Sequence, residues 1–263
     1  MAELTTRAGL EVLALEELHA LGVDALITTR TGGVSSAPYD SLNLGLHVGD
    51  DPAAVLENRS RAAAALGMAL GDLVVMDQVH GARVALVDEA DRGRGAHAVE
   101  HALSATDALV TTTVGLPLVA LAADCSTLVL IDPIARVLGV VHAGWRGAVA
   151  GAAEAAVASM TAQGAAPERI TAVIGPTIDV ARYEVGHEVA GALDQSGLGA
   201  ALDLDHQFPH ADVAAANRAV LLRAGVPAIA ITTMATTTQS PLLFSDRAAR
   251  PCGRFALIAV LRR

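Results

Sequence analysis

With 263 residues, the chain can bury a substantial core within one domain, or at most two closely packed ones. Hydrophobic residues make up 52% of it and aromatic residues only 2%, so Ala, Val and Leu must form the core. All 18 basic residues are arginines, which excludes a Walker phosphate loop and a Schiff-base or pyridoxal-phosphate enzyme, because each needs a lysine. A net charge of −10 without a basic run disfavours a nucleic-acid surface and favours a small-molecule partner.

The sequence predicts a reduced, cytoplasmic protein without a membrane segment. Cys125 and Cys252 are too few for a disulfide framework. The amino terminus carries scattered acidic residues and no uninterrupted apolar core, which is unlike a secretory signal. The longest apolar span, 108–123, is interrupted by Gly115 and Pro117 and is too short to cross a bilayer.

The first predicted element is a surface helix. Apolar residues at helical spacing indicate a helix over residues 10–21, ended by Gly22. Residues 25–29 predict a short strand that leads into a polar, glycine-rich loop beginning at Arg30. That loop is either a plain connector or a substrate loop.

A second helix and a strand follow. The helix is predicted over residues 53–66, where Asn58 and Arg59 would occupy a solvated face. Residues 73–79 predict a strand that ends at His80.

Three short apolar runs in the middle of the chain predict a buried β region. They cover residues 116–122, 128–131 and 137–141. Cys125 falls in the break after the first run, and His142 comes at the end of the third. Both side chains should therefore emerge where strands stop.

The segment after His142 predicts a strand, a glycine loop and a helix. The loop is Ala-Gly-Trp-Arg-Gly, and an alanine-rich helix is predicted over residues 148–160. The loop glycines either serve backbone geometry alone or direct N–H groups at an anion, to which Arg146 would add a charge.

The carboxyl-terminal half alternates strands and helices without a repeat or a linker. Strands are predicted over residues 170–174, 229–233 and 255–261, and helices over 183–193 and 213–224.

His80, Cys125 and His142 each lie at a predicted strand end. A His₂Cys set with a fourth position for water is the coordination expected of catalytic zinc. Two other interpretations stay open: Cys125 is a small buried hydrophobe among hydrogen-bonded histidines, or it is the nucleophile of a thiol hydrolase with His142 or His80 as base.

Ten short motifs occur in one order and cover nearly the whole chain. They resemble the bacterial laccase-domain family, whose members are also called polyphenol oxidases or zinc-dependent purine nucleoside phosphorylases. The motifs are Arg30-x-Gly-Gly-Val-Ser, Ser41-Leu-Asn-Leu-Gly, Asn58-Arg59, Gln78-Val-His80-Gly, Thr106-Asp-Ala-Leu-Val-Thr, Ala123-Asp-Cys125, Val141-His142-Ala-Gly-Trp-Arg-Gly, Ile174-Gly-Pro, Tyr183-Glu-Val-Gly, and Phe244-Ser-x-Arg near Gly253-Arg254.

The resemblance implies a fold and an activity. The fold is α/β (α+β), with mixed β-sheets packed between helices in a single laccase-domain-like catalytic domain over 1–263. Zinc would be bound by His80, Cys125 and His142. The implied reactions are phosphorolysis of adenosine, inosine, guanosine or methylthioadenosine and deamination of adenosine, so the partners are a purine nucleoside and phosphate.

The motifs also suggest roles for individual residues. An arginine fork and backbone N–H groups suit phosphate, which we expect at Arg30, Arg59 and the loop that contains Gly144 and Arg146. Asn43 is a further candidate for substrate binding.

Asp124 and Cys125 are the candidate catalytic residues. Asp124 is predicted either to transfer a proton or to orient a zinc ligand, although a strand-end carboxylate that only caps a turn fits equally.

Departures from the family pattern affect the expected substrate pocket. Thr127 stands where a proline is usual, and Ala235-Thr236 replaces a Cys-Thr pair. Asp246 and Ala248 replace an aromatic residue and a second arginine.

Two alternative functions remain. Some relatives are described as cytoplasmic amidases that edit peptidoglycan precursors with the same metal site. A copper-dependent polyphenol oxidase is less favoured, because laccase chemistry uses several copper ions and the sequence shows no further ligand cluster.

Overall fold

Two six-stranded β-sheets form the frame of the molecule, for which the computed structural model describes residues 3–263. In chain order, the strands are β1 (Glu3–Arg7), β2 (Leu10–Ala14), β3 (Val23–Thr28), β4 (Val74–Val75), β5 (Val84–Leu86), β6 (Ala108–Thr111), β7 (Leu118–Ala122), β8 (Ser126–Asp132), β9 (Val137–Ala143), β10 (Thr171–Ile174), β11 (Leu202–Asp203), β12 (His210–Ala211), β13 (Ile231–Thr233) and β14 (Phe255–Leu261). The α-helices are α1 (Pro52–Ala64), α2 (Trp145–Ala150), α3 (Ala152–Ala162), α4 (His187–Gln195) and α5 (Val213–Arg223).

Both sheets are mixed. The first has the order β1-β2-β3-β14-β7-β4 and is antiparallel except for the β4–β7 pair. The second has the order β13-β10-β8-β9-β6-β5, with parallel pairing only at its two edges. Strands β11 and β12 form a separate small hairpin.

The layers follow from alternation along the strands. In β8, Val129 and Ile131 belong to the core that also holds β3, β7 and β14, so this face of the second sheet packs on the first sheet. Leu128 and Leu130 face the opposite way, into a core formed with α3 and α5. The outer face of the first sheet buries Ala62 and Ala63 of α1. The prediction of mixed sheets packed between helices is therefore confirmed.

The chain passes between the two sheets at three places that matter for the site. Residues 76–83 lead from β4 in the first sheet to β5 in the second, and residues 123–125 lead from β7 to β8. Residues 234–254 return from β13 to β14. Side chains on these three segments meet at the junction of the sheets.

Predicted elements near the amino terminus need correction. The predicted helix over 10–21 is wrong: β2 occupies its first part, and a 3₁₀ helix, Glu16–Leu21, its second. β2 pairs with β1 across a turn in which Ala8 and Gly9 both have positive φ. Pairing across this turn overrides the helical spacing.

Other boundaries also differ. The strand predicted over 73–79 is limited to Val74–Val75, so His80 does not lie directly at a strand end. The helix predicted over 148–160 begins at Trp145 and is broken at Gly151, where φ is +78°. The helix predicted from residue 183 begins at His187, after a short 3₁₀ helix. Strand β14 is confirmed at both ends.

Three further predictions concern the polar residues of α1, the two cysteines and membrane segments. Asn58 and Arg59 are 0% and 4% exposed, so the prediction that they form a solvated face of α1 is wrong. Cys125 and Cys252 are both free thiols. None of the helices within residues 3–263 has the length and apolar character needed to span a bilayer.

Candidate metal centre

His80, Cys125 and His142 come together in space. One potential ligand atom from each lies within 4.8 Å of those of the other two. The two imidazole rings stand almost perpendicular, with centroids 4.9 Å apart. Among residues 3–263, this is the one group of three or more His, Cys, Asp or Glu side chains with such spacing. We call these three residues the ligand cluster.

Each member of the ligand cluster is held by a different element. His142 lies near the end of β9, where it pairs with Thr127 of β8. Cys125 ends the short crossing from β7 to β8. A Cβ atom at Gly144 would lie 2.6 Å from the Cys125 sulfur, so only glycine leaves room for that sulfur.

Asp107 supports the cluster and was not predicted from the sequence. Its buried carboxylate accepts N–H hydrogen bonds from Val79, His80 and Gly81, at 3.2, 3.0 and 2.7 Å. It also lies 3.0 Å from Nδ1 of His142, which leaves Nε2 as that ring's other nitrogen for a ligand. The same contacts hold His80 at φ +63°. The sequence did contain a signal for this role, because Asp107 directly precedes β6, and β6 pairs with β9, the strand that carries His142.

The cluster favours a thiolate at Cys125. Burial opposes ionisation of this thiol, but hydrogen bonds and charge from His142 and His80 lower its pKa to about 6. Burial would lower the pKa of His142, and the contacts to Asp107 and Cys125 raise it instead. Burial opposes ionisation of Asp107 as well, but His142 and the Gly81 N–H lower its pKa. A deprotonated cysteine is the form that binds metals.

Asp124 anchors the segment that crosses back to the first sheet. Its carboxylate accepts hydrogen bonds from the Thr238 and Ser245 hydroxyls and, at 2.7 Å, from the Arg247 N–H. The structure therefore places the carboxylate that orients a cluster histidine at Asp107 rather than at Asp124. Asp124 does line the cavity beside Cys125, at φ +105°.

The ligand cluster opens into a cavity of about 510 Å³. Trp145 and Tyr183 line it together with charged side chains of both signs. The arginines are Arg59, Arg146, Arg247, Arg250 and Arg254, and the carboxylates are Asp77, Asp124 and Asp246. We call it the metal cavity.

The structure brings only some of the predicted substrate residues to the metal cavity. Gly144 and Arg146 line it. Arg59 also lines it, but Nε and Nη1 of its guanidinium donate to the carbonyls of Leu44, Gly95 and Ala96. Those bonds make Arg59 mainly a structural residue.

Arg30 and Asn43 lie elsewhere. Arg30 donates to the backbone and side chain of Asp40, packs over the Phe244 ring and lines a separate cavity. Asn43 is 0% exposed and is hydrogen-bonded to Gly45, Asp50 and the backbone of Arg254. Neither residue reaches the ligand cluster, and their predicted contact with substrate is not supported by this arrangement.

The departures from the family pattern differ in their positions. Asp246 lines the metal cavity and forms ion pairs with Arg250 and Arg254, so it changes the charge of the pocket. Thr127 is fully buried on β8, and Ala235 lies outside both cavities.

Residues 24–262 match the family described as multi-copper polyphenol oxidoreductase laccase. The chain belongs to this family. A purine nucleoside phosphorylase from Deinococcus radiodurans is 40% identical over 243 residues, which are 92% of this chain and 91% of the relative. Adenosine deaminase RL5, from an unknown prokaryotic organism, is 42% identical over 212 residues, or 79% and 80% of the two chains.

The fold of this laccase-family protein matches a solved structure over its full length. The crystal structure of YlmD from Geobacillus stearothermophilus superposes with a TM-score of 0.93 at 33% identity, covering 100% of both chains. The family and the enzyme class predicted from the sequence are thus confirmed, because relatives of this similarity are named as purine nucleoside phosphorylase and adenosine deaminase.

Proposed function

We propose that this protein is a zinc-dependent purine nucleoside phosphorylase that also deaminates adenosine. The observation that carries the proposal is the convergence of His80, Cys125 and His142 in the lining of a cavity that also holds several arginines. The names of its relatives support the choice of substrate, since they denote both reactions.

The residues present fit a zinc ion. Two imidazoles and one thiolate form a set that catalytic zinc uses, and Asp107 supplies the carboxylate that orients a histidine ligand. Zinc bound there would act as a Lewis acid and provide hydroxide from water near neutral pH. A multi-copper centre would need further ligand groups, and residues 3–263 offer the single cluster described above.

Two arginines are the best candidates for holding phosphate. Asp246 already pairs with Arg250 and Arg254, which reduces their capacity for a second anion. Arg146 and Arg247 are exposed, and each guanidinium lies over an aromatic ring of the cavity. An arginine fork can bind a phosphate oxygen pair, so these two side chains would place phosphate beside the nucleoside.

The proposal predicts that one variant loses metal and both reactions together. Protein purified without a metal-chelating tag should contain one zinc per chain and release adenine from adenosine only when phosphate is present. Without phosphate, it should convert adenosine to inosine. Cys125→Ala should lose the zinc and both activities, because it removes a ligand from the cluster.

Cys252→Ala is the matched control, since Cys252 is the other free thiol and lies outside the metal cavity. It should retain zinc and both reactions. A wild-type protein that holds no metal would contradict the proposal. Zinc without purine turnover would instead favour the amidase that edits peptidoglycan precursors.

A further inference from the structure

Two chemically different groups of residues line the metal cavity. One carries Trp145 and Tyr183, although aromatic residues make up only 2% of the chain. The other carries an imidazole and a carboxylate, His47 and Asp77. We call these the aromatic flank and the polar flank. The polar flank has no part in the metal chemistry or in the phosphate contacts proposed above.

Both flanks line the cavity into which the ligand cluster opens. Burial lowers the pKa of His47, and the charges of Arg254 and Arg59 lower it further, while the charge of Asp77 acts in the opposite direction. Burial raises the pKa of Tyr183, and the charge of Cys125 raises it further.

The loop that carries His47 is held in place on both sides of that residue. Before it, the Asn43 amide accepts from the Gly45 N–H at 2.9 Å and donates to the Asp50 carboxylate at 2.9 Å. After it, the Tyr39 hydroxyl donates to the Val48 carbonyl at 2.7 Å. A fixed loop presents a hydrogen-bonding side chain with little loss of entropy on binding.

Buried residues of α1 extend this support. Asn58 donates to the Asn43 carbonyl at 3.0 Å, and Arg59 donates to the Leu44 carbonyl at 2.8 Å. Leu44 is further bonded to the backbone of Arg254, on the segment that returns to β14. These buried hydrogen bonds keep the loop that carries His47 in one position.

Asp77 is fixed in a similar way. Its N–H donates to the Leu103 carbonyl, and its own carbonyl accepts from the Thr106 N–H, both at 3.0 Å. The neighbouring Gln78 side chain makes two 2.8 Å hydrogen bonds to the backbone of Leu121 in β7. Both residues of the polar flank, His47 and Asp77, thus lie on backbone segments that hydrogen bonds hold in place.

We propose that His47 and Asp77 bind the ribose hydroxyls of the nucleoside, while Trp145 and Tyr183 contact its purine base. The inference rests on the proposed function. A nucleoside has an aromatic half and a hydroxyl-bearing half, which match the two flanks. A carboxylate accepts hydrogen bonds from ribose hydroxyls, and a neutral imidazole offers one donor and one acceptor.

The test compares inosine with 2′,3′-dideoxyinosine in phosphorolysis. The wild type should prefer inosine in kcat/KM, because only inosine has the hydroxyls. Asp77→Ala and His47→Phe should each lower kcat/KM for inosine about tenfold, the effect of one lost hydrogen bond to a polar or charged group. Turnover of the dideoxy substrate should stay within about twofold, since no hydroxyl is available to lose a contact.

Zinc content and a control variant separate this role from a structural one. Both variants should keep one zinc per chain, and His187→Gln, on the exposed first turn of α4, should leave both substrates unaffected. Equal losses for the two substrates would overturn the ribose assignment, as would a wild type without preference for inosine. A zinc-loaded wild type inactive on every purine nucleoside would overturn the proposed function itself, and this inference with it.

Discussion

Two cavities of nearly equal volume both take lining residues from the segment 238–254, and Arg247 lines both, yet they differ in chemistry. The metal cavity has a volume of about 510 Å³, and its lining includes the ligand cluster and charged residues of both signs. The second cavity holds about 530 Å³, and the charged residues that line it are Arg30, Arg182 and Arg247, with no carboxylate among its described lining. Volume and arginine content therefore do not distinguish the candidate active site from the second cavity. The convergent ligand atoms of the cluster, with Asp107 as a supporting carboxylate, distinguish it.

The arginines that line the metal cavity also differ from one another in their contacts. Substitution of Arg59 should have the largest effect of the changes considered, and that effect is on stability. Arg59→Met should lower the free energy of unfolding by about 3 kcal/mol, because it leaves buried carbonyls of Leu44, Gly95 and Ala96 without a donor. Urea denaturation measures the change.

Arg61→Met is the control on the same helix. Arg61 is exposed and pairs with Glu57 one turn away, so its loss should cost about 0.5 kcal/mol or less. Equal costs for the two variants would mean that the Arg59 hydrogen bonds do not support the loop, and Arg59 would again be a candidate for binding phosphate.

Asp107 tests the supporting carboxylate. Asp107→Asn should weaken zinc binding by about 10–100-fold, the usual effect of removing a carboxylate that orients a histidine ligand. Competition with a chromophoric chelator measures the affinity. Asp124→Asn should change zinc affinity less, because Asp124 contacts Thr238, Ser245 and Arg247 rather than a cluster histidine. A reversed order would move the orienting role back to Asp124.

Arg146 and Arg30 compare the two cavities directly. Arg146→Ala should raise KM for phosphate about tenfold, as expected when a charged hydrogen bond to an anion is lost. Arg30→Ala should leave KM for phosphate within about twofold, since Arg30 lines the second cavity. Steady-state phosphorolysis at varied phosphate distinguishes the two. A larger effect at Arg30 would assign phosphate to the second cavity.

Asp132 lies outside both cavities and makes a contribution to stability that depends on pH. Burial opposes ionisation of Asp132 at the end of β8, but Arg169 and three backbone N–H groups lower its pKa from 3.8 to about 2. The folded pKa lies below the unfolded one, so this stabilisation is present above about pH 4 and is lost as the pH falls through 2.

Asp132→Asn should therefore cost about 1–2 kcal/mol at pH 6 and progressively less toward pH 2. Denaturation at both pH values checks this. A cost that does not change with pH would contradict the ionic origin of the effect.

The sequence was most informative where local pattern decides structure. Strand β14 matches its apolar run at both ends, and β8 and β9 flank the turn predicted at Asp132-Pro133. Cys125 and His142 could be placed at strand ends for this reason. Both edges of the buried region are marked in the sequence itself.

Long-range contacts explain what could not be predicted. His80 lies beyond a very short strand and is positioned by Asp107, 27 residues away. Asn58 and Arg59 have the polarity of a solvated helix face. They are nevertheless buried, and they donate hydrogen bonds to the carbonyls of a loop and of residues 95–96. Such partners leave no periodic signal. For the same reason, the position of His47 in the lining of the metal cavity was not predicted.

X-ray absorption at the zinc edge tests the central claim most directly. In wild-type protein loaded with one zinc, the account predicts one sulfur ligand at about 2.3 Å and two histidine nitrogens at about 2.0–2.1 Å. Cys125→Ser should lose the sulfur signal, and Cys252→Ser should keep it. A zinc spectrum without sulfur in the wild type, or with sulfur retained in Cys125→Ser, would contradict the ligand cluster as the metal site.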